Sequence, residues 1–296
     1  MKANHSDLDI FSFPDSTSAL SLLPRRAKRS NKGDFGRVLC ICGSPGMAGA
    51  AYLCAKAAYR SGAGLVEIFT HESNRVILQT SLPEAIVTTY TDSRCKEALL
   101  QSIGRADCIV SGCGLGTASL SDTILRELLY TVDIKKTPLI LDADALNIIS
   151  TDTYLTKHIQ GAIITPHPGE MSRLTGISVD NILDDTVGVA HEYAKEHRVI
   201  CLLKDHQTVV SDGGGKVYLN TTGNSGMATG GSGDVLAGIL GGLIAQSKNS
   251  SSSRFVLTAL GAFIHGRSGN IAAECLGEYS LMASDIIDCL PKAFLS

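Results

Sequence analysis

The chain has 296 residues, 44% hydrophobic and 19% charged, enough for one large α/β domain or two small ones. A net charge of −3 and the lack of tryptophan argue against a nucleic-acid surface, and the longest apolar run, 235–245, is too short and glycine-rich to span a bilayer. Nine cysteines, an odd number, include Cys40, Cys42, Cys54, Cys108, Cys113 and Cys201, which sit mostly in apolar runs; they read as reduced thiols of a cytoplasmic protein.

Residues 1–30 read as a leader, with a polar, acidic start, a short helix near 18–23 ended by Pro24, and a solvated basic patch from Arg25 to Arg29. A single domain is expected over 31–296. Its first strand is 38–42, followed by a loop over 43–49 and an alanine-rich helix over 50–61 closed by Gly62 and Gly64. Strands follow at 65–70, 84–90 and 107–111, the last running into Gly112-Cys-Gly-Leu-Gly116. The strand at 138–141 ends at Asp142-Ala-Asp144, and that at 162–165 at Pro166-His-Pro-Gly-Glu170. A helix is predicted over 180–197, then a strand over 199–203 ending at Lys204. A short strand at 208–211 pairs with 217–220 across Asp212-Gly-Gly-Gly215. Helices over 234–246, 255–275 and 280–293 close the chain, with a polar loop at 247–253. Near-continuous apolar strands alternating with helices imply an α/β fold with a mostly parallel sheet covered on both faces.

The stretch Asn224-Ser-Gly-Met-Ala-Thr-Gly-Gly-Ser-Gly-Asp234 runs straight into an apolar helix. Glycines 230, 231 and 233 let several N–H groups converge, and a helix start adds partial positive charge, which suits a phosphate. Asp234 beside an anion site suits a base that strips a proton from a hydroxyl attacking phosphorus. The alternative is a helix capped by Ser232 or Asp234, with glycines for tight packing. Further polar or glycine-rich loops follow other strands, at 43–49, 112–116, 142–147, 165–170 and 204–208, and strand ends of this kind form the ligand crevice of an open α/β sheet. Gly112, Gly114 and Gly116 have the spacing G-x-G-x-G, which departs from the dinucleotide fingerprint, and a Walker A pattern is absent. His167, between two prolines, reads as rigidly held for binding or proton transfer, or as part of a structural turn. Lys204 is either a phosphate ligand or an exposed lysine; Asp142 and Asp144 either help hold Mg²⁺ or cap a helix.

Taken together, Lys32-Gly-Asp-Phe-Gly36, Gly46-Met-Ala-Gly-Ala-Ala51, Arg60-Ser-Gly-Ala-Gly-Leu-Val66, Gly112-Cys-Gly-Leu-Gly116, Leu141-Asp-Ala-Asp-Ala-Leu146, Thr165-Pro-His-Pro-Gly-Glu170 and Gly230-Gly-Ser-Gly-Asp234 resemble the NAD(P)H-hydrate dehydratase family of ribokinase-like proteins. The resemblance runs from about Lys32 to Leu290. It implies a three-layer α/β/α sandwich and a lyase that repairs hydrated NADH or NADPH with ADP, or less readily ATP, and Mg²⁺. Carried over by position, it implies that Ala50, Gly114, His167 and Asp234 meet the hydrated dinucleotide, with Asp234 catalytic. Lys204, Asp205, His206, Gln207, Thr208, Gly231, Ser232 and Gly233 would hold the adenine nucleotide; no metal ligand is assigned. Asp205 stands where the family commonly has glycine, and Ser232 where it commonly has threonine. The resemblance also implies a homotetramer and, as functional partner, a separate NAD(P)H-hydrate epimerase.

Two rival readings share parts of this pattern. A ribokinase-like kinase of a vitamin precursor, hydroxymethylpyrimidine or hydroxyethylthiazole, would keep the glycine-rich loop and Asp234. A non-catalytic nucleotide sensor would keep the loop but gain nothing from a carboxylate beside phosphate.

Overall fold

The structure is a computed structural model, and it describes residues 5–91, 95–247 and 251–295. The first four residues of the expected leader and residues 248–250 of the expected polar loop lie outside the described residues.

In chain order the elements are β1 (Asp9–Phe11), α1 (Ser16–Leu20), β2 (Arg37–Ile41), α2 (Ala48–Arg60), β3 (Leu65–His71), α3 (Arg75–Ser81), β4 (Ile86–Tyr90), α4 (Cys95–Ile103) and β5 (Cys108–Ser111). They continue with α5 (Ser119–Thr131), β6 (Leu139–Leu141), α6 (Asp144–Thr151), β7 (Ile163–Ile164), α7 (Pro168–Thr175), α8 (Val179–Asp184), α9 (Thr186–His197) and β8 (Ile200–Leu203). The chain then forms β9 (Val209–Ser211), β10 (Lys216–Leu219), α10 (Ser232–Ala245), α11 (Arg254–Leu276) and α12 (Ala283–Ala293).

The strands form one ten-stranded sheet in the order β1-β10-β9-β8-β7-β6-β5-β2-β3-β4. From β8 to β4 every neighbour is parallel; β9 is antiparallel to both β8 and β10. Alternation along each strand divides the core into two layers. Val38, Cys40, Val110, Ile140 and Leu202 face α2, α10, α11 and α12. Leu39, Ile41, Ile109, Leu141 and Leu203 face α4, α5, α6 and α9. The expected sheet, covered on both faces, is the fold found.

α10 is buried along nearly its whole length and packs tightly on α2. A Cβ at Gly238 would sit 2.1 Å from the Cys54 carbonyl oxygen, and one at Gly242 2.5 Å from that of Ala58. The glycines of this apolar helix therefore bring two backbones together.

Three local features differ from the sequence-based expectation. The described part of residues 1–30 is tied into the fold, because β1 adds a parallel edge strand beside β10. The first helix is Ser16–Leu20, capped by the Asp15 side chain. The single helix expected over 180–197 is two, because Asp185 leaves helical geometry and its carboxylate accepts from the Gly188 N–H at 2.9 Å to start α9. Among the described residues no helix is long and apolar enough to cross a membrane.

Candidate active site

The chain leaves β2 outward through β3 to β4, then returns to place β5 on the other side of β2. That reversal opens a crevice at the strands' C-terminal ends. The start of α2 and the loop after β5 meet there: a Cβ at Gly114 would come within 2.7 Å of the Ala50 Cβ. The next loops deliver Asp142 after β6, Thr165 and His167 after β7, and Lys204 after β8. A cavity of about 960 Å³ runs along these ends to the start of α10.

Gly231 is the N-cap of α10, at φ 91°, where a side chain would be strained; its Cβ would also press on Leu53 at 2.5 Å. No side chain caps this helix. The Ser232 N–H donates to the Thr229 carbonyl at 3.3 Å, and the Gly233 and Asp234 amides are left for an anion in the cavity. Ser232 does not cap; its hydroxyl is 3.3 Å from Nε2 of His265, on α11. Burial holds the His265 imidazole down at about 4, so it is neutral.

Asp142, on the opposite wall, is 1% exposed. Its Oδ1 accepts from Lys204 Nζ and from Thr165 Oγ1, each at 2.7 Å. Lys204 also lies 3.7 Å from Glu170 Oε2. Burial alone would favour the neutral amine, but the Asp142 and Glu170 carboxylates hold the Lys204 pKa above its ordinary value. Lys204 is therefore a fixed positive charge in the crevice, beside Gly233: a Cβ there would be 3.5 Å from Nζ. Asp142 does not cap α6. That cap is Ala143, at φ 47° and ψ −117°, a strained pair for a residue with a Cβ. Asp144 is turned away, accepting from the Gly116 N–H at 2.7 Å.

His167 is held by more than its prolines. It is the N-cap of α7, with Nδ1 accepting from the Gly169 and Glu170 N–H groups at 3.0 and 3.4 Å. The Glu170 carboxylate accepts back from the His167 N–H at 2.8 Å, completing a capping box. An accepting Nδ1 puts the neutral ring's proton on Nε2.

Asp234 is the first-turn acid of α10. Burial raises its pKa to about 9, with Cys113 and Asp142 adding to the shift and Lys204 opposing it. Cys113, Asp142 and Asp234 bring ligand-type atoms within 4.8 Å of one another.

His167, Lys204, Asp205, His206, Thr208, Gly231, Ser232, Gly233 and Asp234 all line this one cavity. Gln207 does not, and Ala50 and Gly114 sit together at the neighbouring β2–β5 reversal. Sequence reasoning missed Asn220, Thr222 and His265, which line the cavity from the far side. Asn220 Nδ2 donates to the Thr222 carbonyl at 2.9 Å, holding the strand that leads into the 224–234 loop. The polar run Asn-Thr-Thr-Gly-Asn over 220–224 was the available signal; a lone histidine inside an apolar helix offered none.

A mostly parallel three-layer sandwich, with a carboxylate at a glycine-rich helix start, defines the ribokinase-like class. A ribokinase-like protein of Enterococcus faecalis superposes with a TM-score of 0.87 at 27% identity, over 99% of this chain and 98% of that one. Within that class, the family model for NAD(P)H-hydrate dehydratase matches residues 38–292, and the chain belongs to that family. It is 36% identical to the ADP-dependent (S)-NAD(P)H-hydrate dehydratase of Neisseria meningitidis over 88% of this chain and 86% of that one. The Bacillus subtilis ADP/ATP-dependent NAD(P)H-hydrate dehydratase, co-crystallised with ATP and Mg²⁺, has a TM-score of 0.81 at 28% identity, covering 95% and 97% of the two chains. The chain spans about half the length of the bifunctional NAD(P)H-hydrate repair enzymes it also matches, 51% for the first of them.

Proposed function

We propose that this chain returns the S-epimer of hydrated NADH or NADPH to the reduced dinucleotide, using ADP, or ATP, to phosphorylate the C6 hydroxyl before phosphate is eliminated. The observation that carries the reading is Asp234, a partly buried carboxylate at an uncapped helix start that shares a cavity with the Lys204 cation.

Hydroxide is a poor leaving group, so the hydroxyl must be activated. Asp234 takes its proton as the oxygen attacks the terminal phosphorus of the nucleotide, and AMP or ADP departs. The raised pKa makes the ionised Asp234 a stronger base than an exposed carboxylate. The free amides of the first turn of α10 and the Lys204 ammonium face the charge that builds on the transferred phosphoryl oxygens. Asp142 holds Lys204 in that position. The ring nitrogen's lone pair then expels phosphate, and loss of a C5 proton restores the dihydropyridine.

His167 binds rather than accepts that proton: its Nδ1 is occupied by backbone amides, and Nε2 carries the hydrogen, a donor for substrate oxygen. The nucleotide would lie against the 204–208 loop and the Thr222–Asn224 side of the cavity. The oxygen donors of Asp142 and Asp234 fit Mg²⁺, which prefers one or two carboxylates with phosphate oxygens and water. When bound, the ion would neutralise phosphate charge.

The test is to incubate the protein with hydrated NADH and either ADP or ATP, and to follow NADH absorbance and phosphate. Recovery of NADH with one phosphate per turnover is expected, and Asp234→Asn should lose it. No recovery with either nucleotide, or near-normal turnover in the variant, would overturn the assignment. A kinase of a vitamin precursor would instead accumulate a phosphorylated product.

A further inference from the structure

Buried thiols converge behind the crevice wall. Cys42 follows β2, Cys54 lies on α2 and Cys113 follows β5, and their sulfurs all lie within 4.8 Å of one another. All three are fully buried. Cys95, Cys108 and Cys201 are also buried, but among the described residues no such group includes them; they act as small core hydrophobes. Cys113 differs again, because its Sγ lies 3.9 Å from Asp142 Oδ2, the oxygen of that buried carboxylate that is not bonded to Lys204 or Thr165. A thiol at this distance is a weak partner for a buried carboxylate oxygen. The same sulfur thus belongs to a three-thiol group on one side and to the Cys113–Asp142–Asp234 group on the other.

We propose that Cys42, Cys54 and Cys113, with a carboxylate oxygen of Asp142, form a site for a thiophilic divalent cation of the zinc type. Tetrahedral zinc, with bonds of about 2.3 Å to sulfur and about 2.1 Å to oxygen, needs sulfur–sulfur separations of about 3.8 Å and sulfur–oxygen separations of about 3.6 Å. The three sulfurs, within 4.8 Å of one another, would close by about an ångström or less, and Asp142, which is grouped with Cys113 but not with Cys42 and Cys54, would swing in further from the Cys113 side. Mg²⁺, which takes oxygen donors in an octahedron, has no use for the thiols, so the site separates soft from hard cations. Binding exchanges three S–H bonds for metal–sulfur bonds and sends the protons to solvent; no electron moves. The ion would enter from the cavity past Asp142 and Asp234, both of which line it. Once bound, it would draw Asp142 Oδ2 toward the thiols and, with one divalent ion taken up and three protons released, leave the surroundings of Asp234 one unit more negative. The three thiols take no part in the proposed reaction, and the site meets it only through Asp142; its effect on turnover rests on that reading.

The experiment uses the full chain with Cys275, which is exposed, and Cys289, which is partly so, changed to serine to remove surface thiols. Titration with Cd²⁺ is followed by the ultraviolet thiolate-to-metal absorption. One equivalent should give the full band, Zn²⁺ should displace it, and proton release should be about three per metal. Cys54→Ala, which leaves every cavity-lining residue in place, should lose the band while keeping turnover in Mg²⁺ alone. If Cys54→Ala does not fold, Cys42→Ser serves, with circular dichroism confirming the fold. No band in the parent, or a full band at one equivalent in the folded variant, overturns the site. In the dehydratase assay with excess Mg²⁺, one equivalent of Zn²⁺ should cut parent turnover at least tenfold and leave Cys54→Ala unaffected. A parent that shows the band but no turnover with or without Zn²⁺ retains the metal site and sinks the dehydratase reading. A parent whose turnover ignores bound Zn²⁺ overturns the inhibitory effect.

Discussion

At the scale of the residue, Asp234 sets function against stability. Its carboxyl is protonated in both folded and unfolded chains below pH 3.8, but between there and about 9 only the unfolded chain ionises. Ionisation therefore favours unfolding across that window, and the native state weakens as pH rises through it. Asp234→Asn removes the effect: its Tm should exceed the parent's at pH 7 and converge with it near pH 4, measured by thermal melts across pH, even as turnover disappears. For the parent, kcat/KM should climb with pH toward about 9 as the free enzyme's base ionises. His167 has the opposite sign. Burial lowers its pKa below 6.5, and protonation would deprive the α7 amides of their acceptor. The stability it contributes is present above pH 6.5 and lost as pH falls through its lowered value. His167→Ala should cost about 1 kcal/mol of unfolding free energy at pH 7, typical of a lost N-cap, and should flatten the acid limb of a denaturant series. Ala143 stores strain while aiming Asp142, so Ala143→Gly should raise stability by about 1 kcal/mol.

At the scale of the element, legibility followed burial. Strands buried on both faces read as apolar runs, and β2, β3, β5 and β8 fall within a residue or so of their expected bounds. The loops behind them were equally plain, since glycine and proline mark positions where an ordinary backbone will not serve. The amphipathic helices between strands were harder, because α4 and α5 bury only one stripe and their polar faces resemble loop. The site's missing members come from elements whose sequence speaks of something else: His265 is one polar side chain in α11, a segment expected only as a helix over 255–275. α10 was expected as an apolar helix over 234–246, and at Gly238 and Gly242 its glycines set its contact with α2. Gly238→Val should force the two helices apart, costing about 3 kcal/mol or more because the obstacle is a backbone carbonyl that cannot rotate away. Since α10 also carries Asp234, the remaining folded protein should lose turnover beyond what its lower Tm explains, a difference visible by assaying at 10 °C below the variant's Tm.

At the scale of the whole molecule, the sheet is asymmetric about its site. The crevice lies near the centre, where the β2–β5 reversal and the ends of β6, β7 and β8 meet, while β9 and β10 turn antiparallel and carry the chain toward the 224–234 loop. β1 then closes the β10 edge. Its polar, acidic surroundings made it read as a leader, since only three residues pair and none of them is fully buried. The pairing is secured instead by aromatic contact: Phe11 and Phe13 pack on Tyr218 with centroids at 5.6 and 4.8 Å, and reach Phe255 and Phe263 of α11 at 6.1 and 5.6 Å. One short segment thus joins the sheet edge to the helical layer behind it. Removing residues 1–14 would leave β10 as an open edge, with Tyr218 uncovered. The truncated chain should melt several degrees lower and show concentration-dependent association by light scattering. Its turnover per folded molecule should be unchanged, because none of the described residues removed, 5–14, lines the cavity. Replacing Phe11 and Phe13 by alanine in the full chain should reproduce the loss of Tm while leaving β1 able to pair. Association seen only in the truncation, with the double substitution remaining monodisperse, would assign the edge protection to backbone pairing and the stability to the rings.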